Sequence, residues 1–136
     1  MIVIDTSALM AIMSNEPERE NFTRIISRHD ARLISAMTLF ECRMVTFGLF
    51  HADGIARLSN WLQLFTPEIV PFDHVQAAAA FAAFQTYGKG IHSKARLNFG
   101  DCASYALAKT RNLPLLFKGG DFAATAIVAA TLQGTT

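Results

Sequence analysis

Short apolar segments alternate with helical segments along almost the whole sequence. The first is Ile2–Ile4, a β-branched run that stops at Asp5, and Arg32–Ser35 and Ile69–Val70 are similar short runs. Between them, apolar side chains recur every three or four positions, which is the spacing of an amphipathic helix. Because neighbouring parallel strands need a connection of helix length, this alternation predicts an α/β fold whose parallel sheet is covered on both faces.

The same patterns give approximate bounds for each element. The predicted strands are Ile2–Ile4, Arg32–Ser35, Ile69–Val70 and Leu113–Phe117, with Ile127–Val128 as a candidate last strand. The predicted helices are Ala8–Met13, Glu18–Arg28, Met37–Phe50, Ile55–Phe65, Val75–Tyr87 and Asn98–Arg111, with a further helical turn at Asp121–Thr125.

Composition limits the class of protein. The 136 residues are 51% hydrophobic and 17% charged, which predicts one folded domain over residues 1–136 and excludes intrinsic disorder. We expect no signal peptide, because Ile2–Ile4 is too short for one, and no membrane span, because Val75–Tyr87 falls short of about 20 residues. The two cysteines, Cys42 and Cys102, do not make a disulfide framework, so a reducing cytoplasm is the simpler compartment.

Positive charge is concentrated in the second half of the chain. The net charge is only +1, but residues 74–136 carry six Lys or Arg and two acids. Three of these cations, Lys89, Lys94 and Arg96, lie between His74 and Gly100, where there is no acid. Two glycines in the same segment favour a mobile basic loop, and its simplest interpretation is an ordinary solvated loop.

Four of the eleven acids have unusual surroundings. Asp5 ends an apolar strand, Glu41 interrupts an apolar helix, Asp101 lies at a helix start, and Asp121 follows a strand. In an open parallel sheet, ligands collect beyond the carboxyl ends of the strands, where such residues meet. Each acid also has a structural alternative: Asp5 and Asp121 as helix N-caps, and Glu41 as an ion-pair partner of Arg43 or Arg24.

If the four carboxylates converge, they need a cation. Two like charges about 4 Å apart at an effective dielectric near 20 repel by roughly 4 kcal/mol. Carboxylates without histidine or thiolate suit Mg²⁺, with Mn²⁺ as a substitute, rather than Zn²⁺. We therefore predict that Asp5, Glu41, Asp101 and Asp121 are metal ligands and catalytic residues, with Ser7 supporting Asp5 or a metal-bound water, or capping its own helix.

Four segments resemble the PIN domain, and within it the VapC-type toxins of bacterial toxin–antitoxin pairs. The segments are Ile-Val-Ile-Asp-Thr-Ser-Ala-Leu at 2–9, Ile-Ser-Ala-Met-Thr-Leu-Phe-Glu at 34–41, Lys-Ala-Arg-Leu-Asn-Phe-Gly-Asp-Cys-Ala-Ser-Tyr-Ala-Leu-Ala at 94–108 and Leu-Leu-Phe-Lys-Gly-Gly-Asp-Phe at 115–122. Many relatives have Asn or Asp where this chain has Gly120, and Thr-Asp where it has Thr125-Ala126. These differences leave fewer oxygen acceptors at the edge of the predicted site.

The resemblance implies a three-layer αβα fold and a magnesium-dependent endoribonuclease that is toxic through RNA cleavage. It also implies a homodimer and neutralisation by a VapB-type antitoxin. Lys89, Lys94, Arg96 and Lys118 are then predicted to hold the RNA backbone. The alternatives are a non-catalytic PIN-like module that binds RNA or protein, a phosphatase with an aspartate nucleophile, and a DNA-directed nuclease; Ser7 stands where such phosphatases usually carry a second acid.

Overall fold

Four parallel strands form the central sheet of the computed structural model, which describes residues 1–132. The spatial order is β3-β2-β1-β4, and Val3 of β1 lies opposite Leu33 on one side and Leu115 on the other. The chain therefore moves from β1 to β3 in one direction and returns to the other side of β1 for β4. The strands are β1 (Ile2–Ile4), β2 (Arg32–Ser35), β3 (Glu68–Val70) and β4 (Leu115–Leu116).

Five helices connect and cover these strands. The longest contains His51 with a positive φ of 54°, where two helical halves meet. The sequence predicts two separate helices here, Met37–Phe50 and Ile55–Phe65, and the non-helical backbone of His51 confirms a break between them. The helices are α1 (Thr6–Met13), α2 (Arg19–Arg28), α3 (Ala36–Phe65), α4 (His74–Tyr87) and α5 (Phe99–Arg111). Within residues 1–132, none of them is long and apolar enough to cross a lipid bilayer.

The sheet separates two hydrophobic cores. Ile2 and Ile4 face a core shared with α1, α2 and α3, whereas Val3 faces a core shared with α4 and α5. This alternation follows from the period of two in a strand, which sends successive side chains to opposite faces. The prediction of an α/β fold with three layers around a parallel sheet is confirmed.

The end of the chain is less regular than the sequence predicts. The strand predicted over Leu113–Phe117 is reduced to Leu115–Leu116, and hydrogen-bonded turns replace the helical turn predicted at Asp121–Thr125. Pro114 has no N–H to donate to a ladder, which limits the strand at its beginning. The strand predicted at Ile127–Val128 does not form, and the next residue, Ala129, makes an isolated bridge to Leu115.

The sheet order places a crevice at the carboxyl ends of β1 and β4. The chain leaves β1 for β2 on one side, whereas β4 lies on the other side of β1, and ligands of open α/β sheets bind at such a switch point. Asp5 directly follows β1, and Asp121 lies five residues after β4. The described fold therefore brings the first and the last of the predicted acids to one edge of the sheet.

Candidate active site

Asp5 is buried and held by three hydrogen-bond donors. It is the N-cap of α1, accepting from the backbone N–H of Ser7 at 3.0 Å. The hydroxyl of Ser7 donates to the same carboxylate oxygen at 2.6 Å, and Ser104 Oγ donates to the other at 2.5 Å. With only 1% of its surface exposed, the carboxylate is fixed both as a helix cap and as part of the crevice. The supporting role predicted for Ser7 is therefore a contact with Asp5 itself.

Small hydroxyl side chains connect the acids of three elements. Ser104, on α5, lies one helical turn after Asp101, and its Oγ is 3.0 Å from Thr38 Oγ1 on α3. Thr6, at the start of α1, donates its hydroxyl to Glu41 Oε1 at 2.6 Å. These contacts tie the first turns of α1, α3 and α5 together. Glu41 forms no ion pair with the arginines considered as its partners, within residues 1–132.

Asp101 is part of the helix start and of the acidic cluster at once. Its carboxylate accepts from the backbone N–H of Asn98 at 3.1 Å, and the Asn98 side chain accepts from the Asp101 N–H, which completes a capping box. Burial raises the pKa of Asp101 to about 7, and the charges of Asp5, Asp121 and Glu41 add to this, although the Asn98 hydrogen bond opposes it. The four predicted acids therefore act on one another electrostatically.

Glu41 rests against the backbone of the residue before Asp101. A Cβ placed on Gly100 would lie 2.2–2.4 Å from the carboxylate atoms of Glu41. Only glycine therefore allows the carboxylate to lie directly over the first turn of α5. This contact fixes how close the acid from α3 comes to the acid from α5.

If the carboxylates hold a divalent cation in an RNA-cleaving site, as the resemblance implies, Gly100→Ala is expected to lower Mn²⁺ affinity and RNA cleavage about 10- to 100-fold, the size of effect usual for residues that orient metal ligands. The new methyl group displaces the Glu41 carboxylate, which is the flexible end of its side chain. The helix itself should not suffer, because alanine favours helices by about 1 kcal/mol over glycine. Calorimetry with Mn²⁺, cleavage rates and melting temperature check this. Gly48→Ala, on α3 with no atom near the added Cβ, is the matched control; unchanged affinity and activity in Gly100→Ala would contradict the prediction.

Asp121 lies at the solvent side of the cluster. Its side chain is exposed, in contrast to Asp5 and Asp101, and it follows the pair Gly119-Gly120. Its charge nevertheless contributes to the raised pKa of Asp101. Asp121 is therefore a neighbour of the buried acids and does not cap a helix, since turns follow it.

The four acids lie in one crevice, but their carboxylates are not grouped tightly enough to form a metal site in this conformation. Within residues 1–132, no three His, Cys, Asp or Glu side chains form a ready-made set of metal ligands. The donor chemistry still fits a hard divalent cation, because every candidate ligand is a carboxylate oxygen. The buried Asp101 also has three negative neighbours and one backbone donor, a charge excess that a cation would relieve.

The two cysteines that follow predicted acids are not ligands of this cluster. Both are free and buried, and burial raises the pKa of Cys42 and of Cys102 to about 11. They are thus neutral thiols near pH 7, packed as small apolar residues.

The basic segment, residues 88–97, forms a hydrogen-bonded turn that leads into α5. Its ends pair in a bridge between Gly88 and Leu97, and His92 Nδ1 accepts from the backbone N–H groups of Lys94 and Ala95 at 3.0 and 2.8 Å. Hydrogen bonds within the segment therefore fix the path of this turn in the structure. It leads directly into the capping box of Asp101 and leaves its three cations exposed: Lys89, Lys94 and Arg96.

Lys118 differs from these three cations. Its ammonium group lies 2.7 Å from Glu16 and 3.4 Å from Glu18, in the turn between α1 and α2. It is thus engaged by two carboxylates, whereas the sequence predicts an RNA contact. Contact with RNA stays a prediction for all four residues.

Sequence reasoning missed the hydroxyls and the glycine that hold the acids. Thr38 precedes Glu41 by three positions, and Ser104 follows Asp101 by three, so each shares a helix face with its acid. A small polar residue one turn from a candidate acid, on a face otherwise apolar, is the signal that could have found them. For Gly100, the sequence offers only its position next to Asp101.

Comparison with known proteins gives a consistent result. A family model described as PIN domain matches residues 2–128. The chain is 44% identical over 131 residues to the VapC ribonuclease Mb0640 of Mycobacterium bovis, covering 96% of this chain and 99% of the relative. Its fold is similar to that of VapC20 of Mycobacterium tuberculosis, a sarcin–ricin loop cleaving toxin (TM-score 0.78, 15% identity, 96% and 99% coverage). It is also similar to a chain of a toxin–antitoxin complex from Klebsiella pneumoniae (TM-score 0.67, 23% identity, 93% of both chains).

Proposed function

Because this chain belongs to the PIN-domain family and to its VapC ribonucleases, we propose that it is a Mg²⁺-dependent endoribonuclease toxin of a type II toxin–antitoxin pair. Asp5, Glu41, Asp101 and Asp121 would hold the metal. One observation carries the proposal: hydroxyl groups link the buried Asp5 to α5 and Glu41 to α1, so acids remote in sequence share one crevice.

Each acid would have its own role in holding the cation. Asp5 is the rigid ligand, since three donors fix its carboxylate, while Glu41 and Asp101 approach from α3 and α5. The exposed Asp121 would complete the set from the solvent side. A divalent ion held by these carboxylates, Mg²⁺ or Mn²⁺, would lower the pKa of a bound water and neutralise charge on the phosphodiester being cleaved.

The basic turn would position the RNA. Lys89, Lys94 and Arg96 are exposed and lie on the segment that enters α5 just before Asp101. Phosphate contacts of this kind orient a strand without reading its sequence.

The apolar surface offers two faces for protein partners. Phe40, Met44 and Phe47 form an exposed stripe on α3, next to Glu41, and we assign it to a VapB-type antitoxin. The Klebsiella pneumoniae relative, a chain of a toxin–antitoxin complex, supports such a partner. A cation of the antitoxin could enter the acidic crevice and relieve the same repulsion as the metal. Met10, Met13 and Phe22, on α1 and α2, are buried in the core and are not part of this surface.

The second face is a cavity of about 420 Å³ between α4 and α5, and we assign it to the homodimer. Phe81, Phe84 and Phe99 line it and are exposed, and α4 carries no Lys, Arg, Asp or Glu. Apolar surface without charge is typical of the centre of homodimer interfaces.

Both cysteines are free thiols, which supports a reducing cytoplasm as the compartment.

A non-catalytic PIN-like binding module is the second candidate. The observation that favours it is that no three ligands are already grouped within residues 1–132. Gly120 and Ala126 also leave this edge of the site without further carboxylates. The two candidates differ in metal uptake and in cleavage.

Incubating the protein with a structured RNA, and with DNA of the same sequence, tests the proposal. With Mg²⁺ we expect RNA to be cut and DNA to remain intact, and with EDTA we expect cleavage to stop, because the carboxylates then lack the ion that stabilises the transition state. Mn²⁺ calorimetry on the same sample checks metal uptake. Full RNA cleavage in EDTA would contradict the metal mechanism; no uptake and no cleavage would favour the binding module.

A further inference from the structure

The ion pair of Lys118 connects the loop after β4 to the turn between α1 and α2. We propose that Lys118 is a positioning residue that holds the segment 117–122, and with it Asp121, against the acidic crevice, and that it does not bind RNA. The inference rests on the proposed function for its consequence, metal binding, but its geometry is independent of that function.

The contacts of the side chain make a two-point anchor. Lys118 Nζ lies 2.7 Å from Glu16 Oε2 and 3.4 Å from Glu18 Oε1. All three side chains are about two-thirds buried, with 32%, 37% and 36% of their surface exposed, respectively. An ion pair with two partially buried acids is held better than an isolated pair on an open surface, which contributes little.

The backbone of the same residue continues this anchor into the site. Lys118 N–H donates to Ser7 Oγ at 3.0 Å, and Ser7 Oγ donates to Asp5 at 2.6 Å. The backbone of Lys118 therefore holds the Ser7 hydroxyl that donates to Asp5, the most buried of the four acids.

The rest of the loop has few other constraints. At its base the rings of Phe117 and Phe122 lie 5.0 Å apart, and Phe122 is buried. Between them, Gly119 has a φ of +96°, and a Cβ on either Gly119 or Gly120 would meet nothing within 4 Å. No side chain is therefore packed on the Cβ side of either glycine before Asp121, and the ion pair of Lys118 restrains the loop on that side of the acid.

The charges argue against an RNA contact. Two carboxylates surround one ammonium group, so the cluster has a net negative charge and repels phosphate. Lys94 and Arg96, in contrast, are exposed and have no ion pair within residues 1–132.

Hydrogen exchange of the metal-free protein tests the anchor directly. Lys118→Met keeps the length of the side chain and removes the charge, and Lys118→Arg keeps both. We expect amide exchange at positions 118 and 123 to become about fivefold faster in Lys118→Met and to return to the original rate in Lys118→Arg. These amides donate to Ser7 Oγ and to the Gly120 carbonyl. Unchanged exchange in Lys118→Met would overturn the proposal.

Two further measurements separate the anchor from an RNA contact and from the proposed function. Lys118→Met should weaken Mn²⁺ binding about tenfold and leave the salt dependence of RNA binding in EDTA unchanged. This loss of Mn²⁺ affinity should vanish in an Asp121→Asn background, because the anchor acts through Asp121.

The control variant, Lys94→Ala with Arg96→Ala, should keep Mn²⁺ affinity and reduce the slope of RNA affinity against salt concentration by about 1.5. A flatter slope in Lys118→Met would instead make Lys118 an RNA contact. If the unmodified protein takes up no Mn²⁺, the proposed function fails, and the exchange rates still decide the anchor.

Discussion

Asp5→Asn is expected to lower the rate of RNA cleavage about 10³-fold while the protein stays folded. The variant removes the charge of the most buried acid, and a loss of about 4 kcal/mol of transition-state stabilisation corresponds to that factor. The fold can accept the amide. Its oxygen still accepts from the Ser7 N–H, and its NH₂ group can donate to Ser104 Oγ, which then donates to Thr38.

Asp53→Asn is the matched control for Asp5→Asn. Asp53 is an exposed acid on α3 and belongs to no part of the crevice, so its variant should cleave RNA at the original rate. Melting temperatures show whether both variants are folded, and Mn²⁺ calorimetry shows whether Asp5→Asn has lost the ion. A folded Asp5→Asn protein that cleaves RNA at the original rate would remove Asp5 from the catalytic site.

The layers of the fold were predictable from the sequence because burial on both sides of a strand leaves a clear pattern. Ile2–Ile4 is fully apolar, and the helices carry apolar residues on one face, so the α/β class follows directly. The final strand was less predictable. The pairing of Leu115 is divided between β1 and Ala129, a long-range arrangement that no local pattern encodes.

The acids were predictable from local context, but what holds them was not. Asp5 and Glu41 are conspicuous because a charge at the end of a strand or within an apolar helix is costly unless it has partners. The partners are Ser104 and Thr6, which are 99 and 35 residues away in sequence, respectively. Small hydroxyl side chains are common in helices for many reasons, so only the packed structure identifies these two as hydrogen-bond donors to the acids.

The role of Lys118 shows a different limit. In the sequence it is a cation next to two glycines and a predicted catalytic acid, which favours an RNA contact. Glu16 and Glu18, 102 and 100 positions earlier, look like solvated acids. The fold brings them together because α1 starts at the end of β1 and its far end lies beside the loop after β4. The role of a charged loop residue such as Lys118 therefore depends on tertiary contacts that its neighbours in the sequence do not reveal.

Without metal, stability is expected to fall as the pH rises from about 4 to about 7 and to level off above that. The pKa of Asp101 is about 7 in the folded protein because of burial and its acidic neighbours, against an ordinary value of 3.8. Between these values the folded protein keeps a proton that the unfolded chain releases, so the free energy of unfolding decreases with pH. Asp101→Asn keeps an oxygen for the Asn98 N–H and should remove this fall, which makes the variant about 10 °C more stable than the original protein at pH 8.

Metal affinity should rise with pH over the range in which stability falls, because the proton on Asp101 must leave before the carboxylate can bind a cation. A carboxyl group must be ionised to hold a cation, so at low Mg²⁺ concentration RNA cleavage should drop about 50-fold between pH 7 and pH 5. Mn²⁺ binding at pH 6 should release nearly one proton per ion, and almost none at pH 8.5, which calorimetry in two buffers of different ionisation enthalpy measures. A saturating metal concentration should shift the pH profile of cleavage to lower values, since the cation competes with the proton for Asp101. Equal proton release at pH 6 and 8.5, with cleavage independent of pH over this range, would show that Asp101 is ionised throughout and that the acidic crevice does not control metal binding.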